Sequence, residues 1–353
     1  MENKMNVYNN ILELVGNTPL LRLNNSVKHM EGRYFAKCEF FNPGLAAKDR
    51  IAVHIIEQLE QQGKLKKGVK VIETTSGNTG FSLAMVCALK GYECILAVNS
   101  KATPGKIDML KTMGAKIYVC PGHVSADNPS SYYQVAKRLH EENPGSVYIN
   151  QYFNDQNTEA HYRTTGPEIW EQTNGEVTHL IAASGTGGTI SGIAKYLKEK
   201  NKSIKILGVD AYGSILKKYH ETGEIDLNEA YSYTIEGMGK NLIPSATRFD
   251  LIDFYEKVTD EDAANKARDI CLEEGVMAGY TSGAVVQAAI QLHSKGFFDK
   301  NSKVVLVFSD HGTKYMEKIY SDDWMNDKKF LTKNSAKQHA IEYVKAVEDS
   351  KVM

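Results

Sequence analysis

The 353-residue chain lacks most of the features that would assign it quickly to a class. It has no Cys-x-x-Cys pair, and its five cysteines (Cys38, Cys87, Cys94, Cys120 and Cys271) are odd in number. That argues against a disulfide framework, and no His/Cys cluster has the spacing of a zinc site. Most of these cysteines fall in apolar runs, which predicts buried, reduced thiols. An excess of charge of one sign is lacking too: a formal net charge of -1 gives no footprint for nucleic acid or an anionic membrane. No apolar run approaches the ~18 residues a membrane span needs. Met1 to Asn10 is polar, without the apolar stretch of a signal peptide. There is no internal repeat, low-complexity tract or Pro-rich linker. These absences leave a cytoplasmic enzyme acting on small molecules, with length for about two domains on a soft prior of ~150 residues each.

Strand-like and helix-like patterns alternate along the chain, which predicts largely parallel, helix-covered sheets. One junction organises the rest. An apolar segment around Tyr34 to Phe40 runs into Asn42-Pro43-Gly44, which breaks the chain, and a helical pattern follows from Leu45 to about Gln62. Lys48 therefore falls near the first turn of a helix, where unpaired N–H groups and the positive end of the helix dipole disfavour an ammonium. A neutral amine there can attack a carbonyl and form a Schiff base. Two strand–loop–helix junctions add anion cradles. The first is Thr74-Thr75-Ser76-Gly77-Asn78-Thr79-Gly80, after the strand Val69–Glu73. The second is Ser184-Gly185-Thr186-Gly187-Gly188-Thr189, after the strand His179–Ala183. Glycine lets backbone N–H groups converge on an anion, and the hydroxyls add donors. The second loop is not a P-loop, because no Gly-Lys-Ser/Thr follows, and no acidic ribose clamp supports a dinucleotide site. An amine nucleophile with two anion cradles suits a cofactor carrying both an aldehyde and a phosphate, namely pyridoxal 5'-phosphate.

These motifs, in this order, resemble the fold-type II pyridoxal-phosphate family of cysteine synthases and cystathionine β-synthases, over roughly residues 8 to 330. Ala36-Lys37-Cys38-Glu39-Phe40-Phe41-Asn42, Gln151-Tyr152, Val209-Asp210 with Gly213-Ser214-Ile215-Leu216, Glu236-Gly237-Met238-Gly239, Tyr315-Met316 and Ser321-Asp322-Asp323-Trp324-Met325 are most similar to the cystathionine β-synthase catalytic core. The resemblance implies an α/β fold of two intertwined three-layer αβα domains like the tryptophan synthase β-subunit. Residues 45–155 would form the smaller domain, 8–44 with 156–330 the larger one, and 331–353 a polar tail. It implies Lys48 as the Schiff-base lysine and the base for the substrate Cα proton. Asn78 would bond the cofactor's ring hydroxyl, and Gly185, Thr186, Gly187, Gly188 and Thr189 would hold its phosphate. Thr75, Ser76, Thr79 and Gln151 would hold the amino-acid carboxylate, and Gly237 would lie on the substrate face of the ring. The implied reaction is β-replacement, serine plus homocysteine giving cystathionine, in a homodimer that uses no metal.

Four departures stand out. Leu45-Ala46-Ala47 replaces the usual Gly, Ser and Val before the lysine. His311, beside Asp310, stands where the family has a serine against the pyridine nitrogen, and is expected to face that nitrogen. Lys240 replaces the tyrosine of animal cystathionine β-synthases, which leaves the thiol open between homocysteine and sulfide. The sequence also shows neither their haem-binding segment nor their regulatory module, so neither haem nor activation by S-adenosylmethionine is expected. Alternative readings are a cysteine synthase using O-acetylserine and sulfide, sulfide release from cysteine, a phosphoserine-using relative, and a catalytically dead binding protein. A few side chains at the cleft mouth decide among the substrates.

Overall fold

The computed structural model describes residues 7–331 apart from Ser76, Lys101, His123 and Ala126. The predicted polar tail beyond residue 331 lies outside the described residues. Strands β1 (Leu20–Leu23) and β2 (Arg33–Cys38) pair antiparallel, and helix α1 (Lys48–Gln61) follows. Then β3 (Lys70–Thr75), α2 (Asn78–Lys90), β4 (Glu93–Asn99), α3 (Pro104–Thr112), β5 (Lys116–Cys120), α4 (Tyr132–Glu141) and β6 (Val147–Tyr148) build a parallel sheet in the order β5-β4-β3-β6. Helices α5 (Asp155–Arg163) and α6 (Thr165–Gln172) lead into the second sheet. Its remaining elements are β7 (His179–Ala183), α7 (Gly188–Lys200), β8 (Lys205–Ala211), α8 (Leu216–Thr222), β9 (Phe254–Val258), α9 (Asp260–Glu274), α10 (Tyr280–Ser294) and β10 (Lys303–Phe308), with the short α11 (Asp322–Asp327) beyond. The order is β1-β2-β10-β7-β8-β9, parallel except for β1.

Burial follows from this arrangement. Strand β10 has a partner on each side and helices on both faces, so Val304–Phe308 is an unbroken apolar run. Val304, Leu306 and Phe308 join Ala267 of α9 and Val285 and Leu292 of α10, while Val305 and Val307 join Ile190, Ile193 and Leu197 of α7. The smaller sheet repeats the plan. Val71 and Leu96 pack with Ile51, Ile55 and Leu83 of α1 and α2, while Ile72 and Ile95 pack with Val135 and Leu139 of α4. Each sheet is thus the middle of three layers, and each large aliphatic side chain so buried contributes about 1.5–3 kcal/mol. Four cysteines are buried and Cys271 is half-buried; all five are free.

Three boundaries differ from the sequence pattern. Helix α1 starts at Lys48 rather than Leu45, because Leu45 has a left-handed φ of +57°. The sequence pattern suits one helix over His161–Glu171, but the segment belongs to two helices broken at Thr164 (φ -124°, ψ -72°). The sequence pattern suits a helix over Lys314–Tyr320, but the structure has a 3-10 turn, Gly312–Tyr315, followed by α11, which Ser321 starts by accepting from Trp324 N.

Candidate active site

The cavity that carries the chemistry opens between the two sheets, at the C-terminal ends of β3, β7 and β10. Thr75, Ala183 and Ser309 all line it, as the topology of open parallel sheets favours. Lys48 is the first residue of α1. The base of that helix is pinned by Arg50, whose guanidinium donates to Glu39 Oε2 and Glu168 Oε1, both at 2.6 Å. Lys37 Nζ also donates to Glu168 at 2.6 Å. This buried network ties β2, α1 and α6 together two residues from Lys48, and removing one partner would strand a buried charge. Lys48 Nζ itself has no hydrogen-bond partner among the described residues. Protein surrounds the amine, although the cavity leaves its side chain partly exposed. Burial, then the ammonium of Lys240, brings its pKa down to about 8 against the opposing pull of Asp310. A lysine so tuned keeps a usable share of free amine near neutral pH.

The expected loops meet around it. Gly185, Thr186, Gly187 and Thr189 line the cavity, and Gly188 opens α7. No acceptor among the described residues takes the N–H groups of Gly185, Thr186, Gly187 or Thr189, as befits a helix start shaped for an anion. The loop needs its glycines. A Cβ on Gly185 would overlap Gly237 O, one on Gly187 would overlap Thr247, and one on Gly188 would overlap the Asn157 amide. Asn157 Nδ2 donates to Thr186 Oγ1 (3.0 Å) and to Gln151 O (2.8 Å). The Thr189 hydroxyl lies 3.0 Å from His161 Nε2, whose ring burial, then Lys48, holds neutral.

Across the cavity stand Thr75, Asn78, Thr79 and Gln151. Thr75 Oγ1 accepts from Gly77 N and Gly80 N at 3.1 and 3.2 Å, and Thr79 Oγ1 donates to Gln151 Oε1 at 2.8 Å. Ser76 lies outside the described residues. Asn78 is oriented at both ends: Nδ2 donates to Asp310 Oδ2 (2.6 Å), and Oδ1 accepts from Lys314 Nζ (2.8 Å). Gly237, at φ +89°, lines the cavity, with only Thr281 Cγ2 near the position of a Cβ.

His311 is a correction. Its ring does not line the cavity. Nδ1 accepts from Thr313 N and caps the 3-10 turn, while the ring packs edge-on against Phe40. Successive residues of an extended segment point to opposite sides. Asp310 and His311 form bridges with Ala46 and Ala278 respectively, so Asp310 turns inward and His311 outward. Asp310 is fully buried; Oδ2 accepts from Asn78 and Tyr315, Oδ1 has no partner, and burial raises its pKa.

Sequence reasoning missed Asn157, His161, Lys106, Tyr152, Thr281 and Asp310. Asn157 and His161 lie on a polar helix without any local motif, and their roles come from packing α5 on α7. Asp310 carried one available signal, its place directly after the central apolar strand.

The residues fit pyridoxal phosphate on structural grounds. A tuned amine, a glycine cradle that a Cβ would fill, and the orphaned buried atoms Thr281 Oγ1 and Asp310 Oδ1 converge on one cavity. The comparisons agree. Cystathionine beta-synthase from Apis mellifera is 40% identical over 323 residues, 91% of this chain and 63% of that protein. The Mus musculus enzyme is 41% identical over 91% of this chain and 57% of its own length. The chain thus spans about three-fifths of the length of these relatives. Cysteine synthase 1 from Emericella nidulans is 35% identical over 95% of this chain and 90% of its own length. The crystal structure of a hydrogen sulfide-producing enzyme from Fusobacterium nucleatum superposes with a TM-score of 0.80 and 33% identity, over 88% of this chain and 100% of that one. The family model described as "Pyridoxal-phosphate dependent enzyme" matches residues 11–310, six-sevenths of the 353-residue chain, and with Lys48 set between the two cradles this protein belongs to that family.

Proposed function

We propose that the chain catalyses β-replacement on serine, joining it to homocysteine to give cystathionine. The observation that carries this reading is the unpartnered Lys48 amine, tuned to about 8, between two cradles of N–H and hydroxyl donors. Pyridoxal phosphate, when bound, supplies a carbonyl that condenses with amines and a ring that accepts charge. Gly185 to Thr189 would hold its phosphate, and Asn78 would bond its ring hydroxyl. Lys48 Nζ would anchor it and, as a free amine, would take the proton from the substrate Cα. Thr75, Ser76, Thr79 and Gln151 hold the substrate carboxylate, which fixes the Cα–H direction relative to Lys48. Gly237 leaves room above the substrate. Asp310 lies close enough to stabilise the lysine once it is protonated, because it already raises the Lys48 pKa.

A second reading, cysteine synthase, is supported by the similarity to the Emericella nidulans cysteine synthase 1, 35% identical over 95% of this chain. Product identification by mass spectrometry separates the two. Purified protein with pyridoxal phosphate receives serine plus homocysteine, or O-acetylserine plus sulfide, beside a Lys48→Ala control. Cystathionine formed from the first pair and absent in the control is expected. Cysteine from the second pair without cystathionine overturns the proposal.

Three further expectations belong to this reading. Residues 45–155 act as the smaller domain against 8–44 with 156–330. The enzyme works in the cytoplasm; among the described residues no helix is long and apolar enough to cross a membrane. It works as a homodimer, a state suited to Phe41 and Leu45, apolar side chains 63% and 39% exposed beside the Lys48 loop. Light scattering of wild type and Phe41→Glu tests the last point, with a monomeric wild type as the outcome against it.

A further inference from the structure

Of the three ammonium groups that line the catalytic cavity, Lys106 pairs with Glu236, and two have no carboxylate partner among the described residues. One is Lys48. The other is Lys240, which lines both the catalytic cavity and a second, wider one of about 780 Å³ that continues from it. That vestibule is walled by tyrosines, among them Tyr132, Tyr133 and Tyr233. Glu236 also faces both cavities, but Lys106 and Lys318 already engage it from either side. Lys240 has no carboxylate within ion-pair distance among the described residues. Its Nζ donates to the neutral Tyr152 hydroxyl at 3.2 Å and sits 4.7 Å from the centre of that ring.

The position is built rather than loose. Lys240 N donates to Ser214 Oγ (2.8 Å), and its carbonyl accepts from Ile215 N (2.9 Å) and Ser214 Oγ (3.1 Å). The preceding turn uses left-handed glycines at 237 and 239, and Gly239 N donates to Ser184 O at 2.8 Å. A rigid backbone thus holds an uncompensated cation where the vestibule meets the Lys48 chamber. Its charge bears on the Lys48 amine, so an anion resting on Lys240 also changes the field there.

We propose that Lys240 is a specificity-determining residue that binds the carboxylate of the incoming thiol. This rests on the serine-plus-homocysteine reading. There, the cofactor phosphate and the serine carboxylate have cradles of their own, the serine hydroxyl takes a proton and leaves as neutral water, and the second substrate's carboxylate is the anion left over. A carboxylate held at the chamber mouth would direct a sulfur on a two-carbon arm inward. The lysine then selects for an amino-acid thiol and against thiols of similar size that lack the carboxylate.

The test measures kcat/KM for homocysteine and for 3-aminopropane-1-thiol, which is homocysteine without its carboxylate, using wild type, Lys240→Gln and Lys240→Arg holoenzymes. One charge-assisted contact predicts that the homocysteine preference falls about tenfold to a hundredfold in Lys240→Gln. Lys240→Arg should recover most of it. Pyridoxal phosphate affinity, read by fluorescence titration of the apoenzymes, should stay within about twofold, a change of under about 0.5 kcal/mol. An equal loss for both thiols overturns the proposal. So does a weakened cofactor affinity, which would assign Lys240 to the phosphate. A raised KM for the donor amino acid alone would assign it to the departing group and overturn the proposal too. The thiol pair is run with whichever donor the enzyme turns over. Failure of serine as donor therefore counts against the proposed function, while the thiol preference still decides the role of Lys240.

Discussion

Two glycine- and hydroxyl-rich loops face each other across the cavity, and they are built in different ways. The Ser184–Thr189 loop is held by close packing: its glycines touch Gly237, Thr247 and Asn157 so closely that no Cβ fits. The Thr74–Gly80 loop is held by side-chain bonds, from Thr75 Oγ1 to two backbone N–H groups and from Thr79 to Gln151. At Gly77, a Cβ would meet nothing within 4 Å. A packed cradle suits a group that stays, as the cofactor phosphate does. A cradle spanned by hydrogen bonds suits a ligand that enters and leaves each cycle, because its donors can exchange partners at little cost.

The loops also rest on different foundations, which gives the largest expected effect. Beneath the hydrogen-bonded loop lies Glu73, fully buried, its carboxylate accepting from Thr74 N (2.6 Å) and Gln151 N (3.1 Å). Burial pushes its pKa from 4.5 up to about 8. The folded chain therefore keeps a proton that the unfolded chain releases. The contribution to stability is fully present below about 4.5 and is lost as pH rises to about 8. At about 1.4 kcal/mol per pH unit, the loss between pH 5 and 8 is at most about 4 kcal/mol. Denaturant melts of wild type should show this decline, and Glu73→Gln, which cannot titrate, should flatten it. A variant with the same slope as wild type would remove Glu73 from the account.

The packed loop is probed by Gly188→Ala. Its methyl group would displace the Asn157 amide, which aligns both Thr186 Oγ1 and Gln151 O. Overpacking of this kind costs about 1–3 kcal/mol, so pyridoxal phosphate affinity should weaken by about one to two orders of magnitude. An affinity within twofold of wild type would mean that the loop is not a packed cradle.

A smaller, more selective effect is expected from Thr79→Val, which keeps the shape and removes the bond to Gln151 Oε1. A hydrogen bond worth about 0.5–1.5 kcal/mol predicts a roughly twofold to tenfold rise in the KM of the amino-acid donor. Cofactor affinity should be untouched. A change in cofactor affinity instead would assign the two loops the wrong way round.

The sequence made these loops legible because each is local: strand, turn residues and helix start lie within about ten positions, where glycine and hydroxyl chemistry leaves a signature. Lys48 was legible for the same reason. The foundations were not. Asn157, His161 and Glu73 lie inside regular elements, where a polar residue reads the same whether it supports a site or only a helix face. Only the packing of α5 on α7, and of β6 on β3, gives them their roles. His311 shows the opposite error. Its ring chemistry suited the cofactor, but an imidazole and a carboxylate side by side on an extended segment cannot both point inward, and the sequence alone did not set the register. The bridge from Ala46 to Asp310 does, and it brings the carboxylate in.

The smallest expected effect is the sharpest test of the comparison. In Gly77→Ala, the added methyl group meets nothing within 4 Å. No overlap opposes it. Gly77 N bonds to Thr75 Oγ1 through the backbone, which alanine keeps. Cofactor affinity should therefore stay within about twofold of wild type. If glycine were present in both loops for the same reason, Gly77→Ala and Gly188→Ala would weaken cofactor binding alike. A hundredfold loss in the first variant would show that the open space at Gly77 closes when the cofactor binds, making both loops packed cradles in the working enzyme.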